Sequence, residues 1–315
     1  MLKKIRPYVI GFLTYTPLRK RYLLSSTGGT NDARYCYGVF MRHLKYAQRS
    51  GMADFPRTIA ELGPGDSIGI GLCWLIAGSQ QYYAFDVENY TEHSRSLAIF
   101  DELVELFEAR ASLPAPSEHP NLKPKIDDLS FPDSILTQKH MQAALDGDRL
   151  AGLRKLLTEK DVDKNADSPI RFMVPWNYEG NIRPGTVDLI YSQAVMEHVE
   201  DVESVYQVSK TWLRPGGLIS HQIDFTSHGT SPDWDGYRAY SELSWRIVRG
   251  SRAYAINRVP ASGHIDQIKQ HGFRVVNEIP AYIEPTLTAR QYAKRFRELD
   301  SESKRTAGLF VQAVL

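Results

Sequence analysis

The stretch RTIAELGPGDSIGIG, from Arg57 to Gly71, constrains the fold of this chain more than any other stretch. Its apolar run over Ile59–Gly63 predicts a buried strand, and the glycines that follow predict a tight turn into a helix over Ile68–Ala77. Such a turn presents free backbone N–H groups and lets a ligand approach the chain closely. A dinucleotide-binding loop takes the form G-x-G-x-x-G, but the third glycine position holds Ile68 here.

Two acids accompany this turn. Glu61 lies inside the predicted strand, two residues before Gly63. A carboxylate there receives an amine or a hydrogen-bond donor and disfavours a pyrophosphate, so Glu61, Gly63 and Gly65 favour a nucleoside ligand with a positive amine. Asp86 ends the next predicted strand, Tyr82–Val87, where an acid accepts hydrogen bonds from both hydroxyls of a ribose. The alternative role for Asp86 is to cap a helix or a turn.

Strand and helix patterns alternate along most of the chain. Further strands are predicted over Ile170–Pro175, Thr186–Gln193 and Gly216–Phe225, and FRVVNEIPAYIE and GLFVQAVL predict two more near the end. This alternation predicts an α/β fold, a Rossmann-like parallel sheet with helices on both faces. Two segments depart from it, so we predict three parts: a mostly helical N-terminal cover over 1–55, a core over 56–90 and 170–315, and a helical insertion over 91–169 that helps to build the substrate site.

Composition excludes some classes of protein. Hydrophobic residues make up 42% of the chain, and the 38 Lys and Arg nearly balance the 37 Asp and Glu, which argues against a nucleic-acid partner. Cys36 and Cys73 form neither a disulfide framework nor a zinc spacing, which indicates a reduced, cytoplasmic setting. The N-terminal MLKKIRPYVIGFLTYTPLRKRYLL is too short in apolar residues to span a bilayer and lacks a signal-peptide cleavage site. It either packs on the domain or rests on an anionic membrane surface.

The segment VDLIYSQAVMEHVEDVESVYQVSKTWLRPGGLI, from Val187 to Ile219, resembles the fourth-strand region of class I S-adenosylmethionine-dependent methyltransferases. AELGPGDS resembles the first motif of that family, with Glu61 as its acid, and AFDV resembles the second, with Asp86 as the ribose ligand. The resemblance covers about residues 57–90 and 170–315. It departs at Ser67, where many members carry a third glycine. It implies a seven-stranded sheet whose last strand is antiparallel, and S-adenosylmethionine as the cofactor.

The resemblance also implies how the cofactor lies along the edge of the sheet. Gly63 and Gly65 would face the methionine part, and Asp86 would bind the ribose. Trp176 or Asn177 would border the adenine. Ser192 and Gln193 would lie beside the methionine part and the reacting methyl. A tryptophan of the core is the alternative role for Trp176.

A second resemblance concerns the acceptor. SSTGGTNDARYCYGVFMRHL, HQIDFTSHG, YSELSW and NRV are similar to segments of methyltransferases encoded with polysaccharide biosynthesis enzymes. This implies O-methylation of a hydroxyl on a sugar or glycan precursor. The alternatives are another small acceptor, such as a polyketide, a quinone precursor or an amine, and a non-catalytic cofactor-binding protein of the same fold. A nucleotide-sugar epimerase or dehydrogenase is disfavoured by Ile68 and by the absence of a Y-x-x-x-K sequence beside the fourth strand.

An alcohol acceptor must lose a proton, and HQIDFTSH offers three groups where the fifth predicted strand ends. We predict that His228 is the base and that Asp224 orients it or binds a sugar hydroxyl. His221 alternates with two isoleucines, which predicts a core histidine, and His198 in the EHV motif is predicted to make a structural hydrogen bond. Because His221 and Asp224 would point to opposite faces of a strand, we expect no metal site there.

The glycine-containing segment STGGTNDARYCYG, before the first strand, is predicted to close over the bound cofactor and acceptor. A static loop packed on the sheet is the alternative. The sequence does not indicate an oligomeric state.

Overall fold

The computed structural model describes residues 2–16, 29–88, 91, 93–158, 168–176, 182–252 and 255–315. In chain order its helices and strands are α1 (Leu2–Leu13), α2 (Ala33–Arg49), β1 (Thr58–Leu62), α3 (Gly69–Ile76), β2 (Gln81–Phe85), α4 (His93–Glu108), α5 (Gln138–Ala144), α6 (Gly147–Thr158), β3 (Ile170–Met173), β4 (Val187–Gln193), α7 (Val202–Trp212), β5 (Leu213–Asp224), α8 (Glu242–Arg249), α9 (Ala261–Gln270), β6 (Arg274–Tyr282), α10 (Lys294–Arg297), α11 (Ser301–Arg305) and β7 (Thr306–Val314).

The described strands form one seven-stranded sheet in the order β3-β2-β1-β4-β5-β7-β6. Strands β1 to β5 run parallel to one another, whereas β7 runs antiparallel to both β5 and β6. This confirms the predicted α/β fold class with its antiparallel last strand. The chain reverses direction across the sheet between β1 and β4, and a crevice outside the carboxyl ends of the strands at such a point is where α/β folds bind ligands.

Helices cover both faces of this sheet. On the first face α2, α3 and α4 pack together, and an edge-to-face contact between Phe40 and Trp74, with ring centroids 4.6 Å apart, joins α2 to α3. On the second face α7 and α9 pack together, and Trp212 of α7 stacks on Phe85 of β2 at 4.8 Å. Removing a buried ring of this kind costs roughly 3–5 kcal/mol, so both layers hold the sheet edge rigidly.

Helix α1 packs against α8 through a close backbone approach. A Cβ added to Gly11 would lie 2.0 Å from the carbonyl oxygen of Ile247, and the N–H of Ser251 donates to Thr14 Oγ1 at 2.8 Å. The opposite side of α1 leaves Ile5, Val9, Phe12 exposed to solvent. None of the described helices combines the length and apolar character that crossing a membrane requires.

Candidate functional site

The loop after β1 depends on two glycines. Gly63 has φ +68° and Gly65 has φ +76°, and L-residues with side chains rarely adopt this left-handed conformation. A Cβ on Gly63 would also lie 2.5 Å from Val195 Cγ2, in the loop after β4. The Gly63 N–H donates to the carbonyl of Phe85 at 2.8 Å, which ties the loop to the end of β2. The two predicted glycines therefore form a turn that presents bare backbone at the ligand-binding edge.

Asp86 follows β2 directly and lies beside this loop. Its carboxylate accepts the N–H of Val87 at 2.7 Å and that of Gly65 at 3.4 Å, and the residue is only 8% exposed. Burial raises the pKa of Asp86, and these N–H groups oppose the rise in part. The Trp176 N–H donates to the Asp86 carbonyl at 2.7 Å, and the half-buried Trp176 ring packs on Phe85. The fold thus brings Asp86 and Trp176 to the same corner as Gly65.

Glu61 and Asn177 are the other two residues predicted to border the cofactor here. Asn177 lies outside the described residues. Glu61 points from β1 into the face covered by α2 and α3, where it is 2% exposed and accepts the Tyr82 hydroxyl at 2.5 Å. Burial raises the pKa of Glu61 to about 7, and hydrogen bonds from the hydroxyls of Tyr82 and Tyr191 lower it in part. Its carboxylate is therefore held by the Tyr82 hydroxyl near the end of β1, just before the glycine loop.

The segment before α2 meets the glycine loop from the other side. Thr30 Oγ1 accepts the Ser67 N–H at 3.2 Å, and Asn31 Nδ2 donates to Asp66 Oδ2 at 2.9 Å. Directly after these contacts α2 begins, with Asp32 as its N-cap. The described part of the predicted closing segment therefore consists of a turn over residues 29–32 and the first turns of α2, and its closure over a ligand stays a prediction.

The side chains that end β4 face opposite ways. Ser192 is fully buried, and its Oγ lies 2.8 Å from Nδ1 of the equally buried His221. His221 is thus the predicted core histidine, and burial lowers its pKa to about 3. The Ser192 side chain is thus directed at His221, and the place of Ser192 beside the methionine part and the reacting methyl stays a prediction. Gln193 faces the other side, where its Oε1 lies 3.3 Å from Nε2 of His43.

Asp224 and His228, the predicted acceptor-side pair, do meet at the end of β5. His228 Nε2 lies 3.8 Å from Asp224 Oδ1, and their side chains are 30% and 26% exposed. His228 has φ +43°, an uncommon conformation for a residue with a side chain. Asp224 Oδ2 lies 3.9 Å from Nζ of Lys123, which belongs to the predicted insertion. Asp224 and His221 lie on opposite faces of β5, as the odd spacing predicts.

Sequence reasoning missed Glu197 and Asn257. Glu197 is 2% exposed, and its Oε1 lies 3.9 Å from His228 Nε2. The Asn257 side chain donates to the carbonyls of Met196 and Val199 at 2.7 and 2.8 Å, and its N–H donates to the Glu197 carbonyl at 2.6 Å. Glu197 lies in the EHV motif and Asn257 in the NRV motif. Both motifs were part of the resemblances, but neither gave a role to these two residues.

Comparison with known proteins gives a match to one family and several similar solved structures. Residues 152–220 match the profile of a family described as "Methyltransferase domain". A search of curated proteins finds no match to this chain. Among solved structures, the chain is similar to an S-adenosylmethionine-dependent methyltransferase from Mesorhizobium loti, at 14% identity and a TM-score of 0.40, over 91% of this chain and 100% of that one. It is also similar to phosphoethanolamine N-methyltransferase 2 from Haemonchus contortus, at 12% identity and a TM-score of 0.43, over 97% of this chain and 59% of that one.

The matched profile runs from α6 through β3, β4 and α7 into β5, and so includes the sheet edge beside the glycine loop. With the strand order and the acid-flanked glycine turn, it shows that the chain is an enzyme, an S-adenosylmethionine-dependent methyltransferase.

Proposed function

We propose that this methyltransferase transfers the methyl group of S-adenosylmethionine to a hydroxyl on a sugar or glycan precursor. The observation that supports this most is the pair formed by Asp224 and His228, whose side chains meet 3.8 Å apart and stay partly open to solvent. An imidazole and a carboxylate side by side can accept hydrogen bonds from neighbouring hydroxyls of a polyol. The weaker sequence resemblance to methyltransferases of polysaccharide biosynthesis supports the same acceptor class.

The proposed reaction is a direct transfer. The acceptor oxygen forms a bond to the methyl carbon, the carbon–sulfur bond breaks, and sulfur keeps the electron pair of that bond as S-adenosylhomocysteine leaves. The hydroxyl proton passes to His228, and Asp224 either orients the imidazole or takes the proton itself. Alignment of oxygen, carbon and sulfur supplies much of the rate, and a positioned base adds typically 10²–10⁴-fold.

We further infer the position of the cofactor. The bare backbone of Gly63 and Gly65 supports a methionine part that lies over the loop, and the Glu61 carboxylate just before the loop supports a place for its amine. Asp86 would accept the ribose hydroxyls. In addition, the adenine would lie by Trp176 or Asn177, and the methyl by Gln193 and the backbone of Ser192.

The three-part division of the chain is also a proposal. We take 56–90 and 170–315 as the cofactor-binding core, 1–55 as the N-terminal cover and 91–169 as the acceptor lobe. The contact of Lys123 with Asp224 supports a lobe that reaches the acceptor. The cover is joined to the lobe by Arg34, whose Nε lies 3.0 Å from Glu118. Free, buried Cys36 and Cys73 support a reducing, cytoplasmic setting.

Helix α1 supports contact with the surface of an anionic membrane. Ile5, Val9 and Phe12 are exposed on α1, as are Leu243 and Ile247 on the neighbouring α8. The first 31 residues contain basic side chains at both ends of the apolar stretch and no acid. Apolar side chains and positive charge together bind anionic lipid. Phe12→Asp should therefore weaken co-sedimentation with phosphatidylserine vesicles, with Phe55→Leu as a control; equal sedimentation of the Phe12→Asp variant would remove this proposal.

Acceptor screening tests the function. Release of S-adenosylhomocysteine should be fastest with nucleotide sugars or short glycans among a panel that also contains quinols, polyketide phenols and primary amines. Fastest turnover of an amine or a phenol would move the proposal to that acceptor class. Tight binding of S-adenosylmethionine in calorimetry without turnover of any acceptor would instead favour the non-catalytic alternative.

A further inference from the structure

A second cluster of side chains lies at the acceptor end of the sheet and includes groups that the proposed reaction does not use. Glu197, His198 and His228 each offer one atom able to bind a metal, and these atoms all lie within 4.8 Å of one another. The rings of His198 and His228 meet edge to face, with centroids 4.9 Å apart. Glu197 and His198 come from the loop after β4, and His228 comes from the loop after β5.

The carboxylate of Glu197 is the most informative member of this cluster. The residue is 2% exposed, and neither carboxylate oxygen has a hydrogen-bond partner of normal geometry within the described part of the chain. A buried, charged carboxylate is costly unless it is paired or coordinates a metal. The carboxylate lies close to the imidazoles of His198 and His228, and these side-chain types together can bind a divalent cation.

The backbone around the cluster is held in position. Asn257 binds the carbonyls of Met196 and Val199, which flank Glu197 and His198. The same loop leaves β4 through Ala194 at φ +55°, and His228 has φ +43°. Conformations of this kind persist where the surrounding structure fixes them, and they occur preferentially at functional sites. Glu197 and His198 are therefore presented by a loop that Asn257 holds from outside the cluster.

We propose that Glu197, His198 and His228 bind a divalent transition-metal ion, with coordination positions left open for a hydroxyl of the acceptor. Two imidazoles and a carboxylate suit Zn²⁺ or Mn²⁺ better than Mg²⁺ or Ca²⁺, which prefer oxygen ligands. Three protein ligands with an open position are the pattern of catalytic rather than structural metal sites. In the sequence, the residues considered as metal ligands were His221, Asp224 and His228. In the fold, His221 faces the other side of the sheet, and Glu197 and His198 lie beside His228 instead.

The role of this ion rests on the proposed function. An acceptor hydroxyl bound to the ion would become more acidic, and its proton would pass to Asp224, whose Oδ1 lies 3.8 Å from His228 Nε2. The hydroxyl oxygen gains the methyl carbon and sulfur keeps the electron pair of the broken bond, so the ion itself is unchanged. In the metal-bound enzyme, Asp224 is thus the base and His228 is a ligand.

The test is metal binding by the purified full-length protein after treatment with a chelator. Electron paramagnetic resonance titration with Mn²⁺, and equilibrium dialysis with Zn²⁺, should each give one site per chain. Glu197→Gln and His228→Asn should each weaken that site by more than about 100-fold, beyond what loss of a supporting partner costs. His271→Asn is the matched control, because its Nδ1 lies 2.8 Å from the Gln267 carbonyl on another part of the surface.

Binding of S-adenosylmethionine by each variant verifies that it is folded. Absence of a stoichiometric Mn²⁺ or Zn²⁺ site in the parent protein, or unchanged binding in both Glu197→Gln and His228→Asn, would overturn the metal proposal. Methyl transfer that persists in the metal-free protein would overturn the catalytic role of the ion, while leaving the proposed function intact. A metal site that is lost in both variants, in a protein that methylates no hydroxyl, would support the metal site and contradict the proposed function.

Discussion

The two ends of the site are built on different principles. At the cofactor end, the geometry comes from backbone: Gly63 and Gly65 lie in the left-handed region, and Asp86 is already hydrogen-bonded to the loop it faces. At the acceptor end, it comes from side chains: Asp224 and His228 are partly exposed, and Glu197 is buried without a hydrogen-bond partner in the described chain. A ligand common to many enzymes is held by the constant parts of the fold, whereas chemistry that varies is carried by loops at the ends of strands.

The largest effect should come from the acceptor end. His228→Ala should lower kcat by about 10²–10⁴-fold, because the variant loses the imidazole that serves proton removal either as base or as metal ligand. The affinity for S-adenosylmethionine should stay constant, since His228 is proposed to act on the acceptor and not on the cofactor. Steady-state kinetics with calorimetry measures both quantities. His271→Ala is the control and should retain parent kinetics.

A reversed pattern would break the comparison between the two ends. If His228→Ala weakened cofactor binding and left kcat unchanged, the histidine would belong to the cofactor end. If Asp224→Ala lost activity while His228→Ala retained it, the aspartate alone would serve the acceptor. Normal turnover by both variants would leave alignment as the source of the rate and remove the main support for a hydroxyl acceptor.

The cofactor end was more predictable from the sequence than the acceptor end, for a physical reason. A strand, a glycine turn and an acid on the next strand are contiguous patterns, so the places of Gly63, Gly65 and Asp86 in the fold could be predicted from the sequence, and their cofactor roles stay predictions. The acceptor cluster joins loops distant in sequence, and which groups meet depends on packing that no local pattern records. The EHV motif contains Glu197, but no local pattern indicates that its carboxylate lies 3.9 Å from His228.

At Glu61, the effects of a substitution on folding stability and on cofactor affinity are expected to differ. Burial raises its pKa from 4.5 to about 7, so between these values the folded protein holds a proton that the unfolded chain has lost. Stability should therefore fall as pH rises through this window, by about 3 kcal/mol in full. Glu61→Gln lacks the ionisation and should not show this fall. Urea unfolding of both proteins without cofactor at pH 5 and pH 8 measures the difference.

The same substitution should act in the opposite sense on the cofactor. Glutamine keeps an acceptor for the Tyr82 hydroxyl but removes the charge proposed to meet the amine, so affinity should fall while stability at pH 8 rises. The titratable groups that face Glu61 from the packed elements are Tyr82, Tyr191, Cys36, Cys73 and Asp86. A stability difference between the two proteins that is the same at both pH values would contradict the assignment of this window to Glu61.

A smaller effect is expected at Asp86. Asp86→Ala removes the two acceptors proposed for the ribose hydroxyls and should weaken S-adenosylmethionine binding by about 1.5–3 kcal/mol, or roughly 10- to 150-fold. At saturating cofactor kcat should recover, because the reacting groups lie at the other end. Asp101→Ala is the control, since that carboxylate pairs with Arg154 on the outer surface of the insertion. Unchanged calorimetry for Asp86→Ala would contradict the proposed cofactor position.

The smallest expected effect concerns the turn over residues 29–32, and it sharpens the comparison most directly. Thr30 and Asn31 contact Ser67 and Asp66 in the glycine loop, so a ligand that fixes this loop should also fix the turn. S-adenosylhomocysteine should slow amide exchange in the turn by about fivefold, equivalent to roughly 1 kcal/mol of opening free energy. Amides of α2 beyond Cys36 should not change, because that helix is already buried. The loop 196–199 should not change either, since it belongs to the acceptor end. Equal exchange at 29–32 with and without ligand would make the turn a static support, and slowing at 196–199 would show that the cofactor orders both ends together.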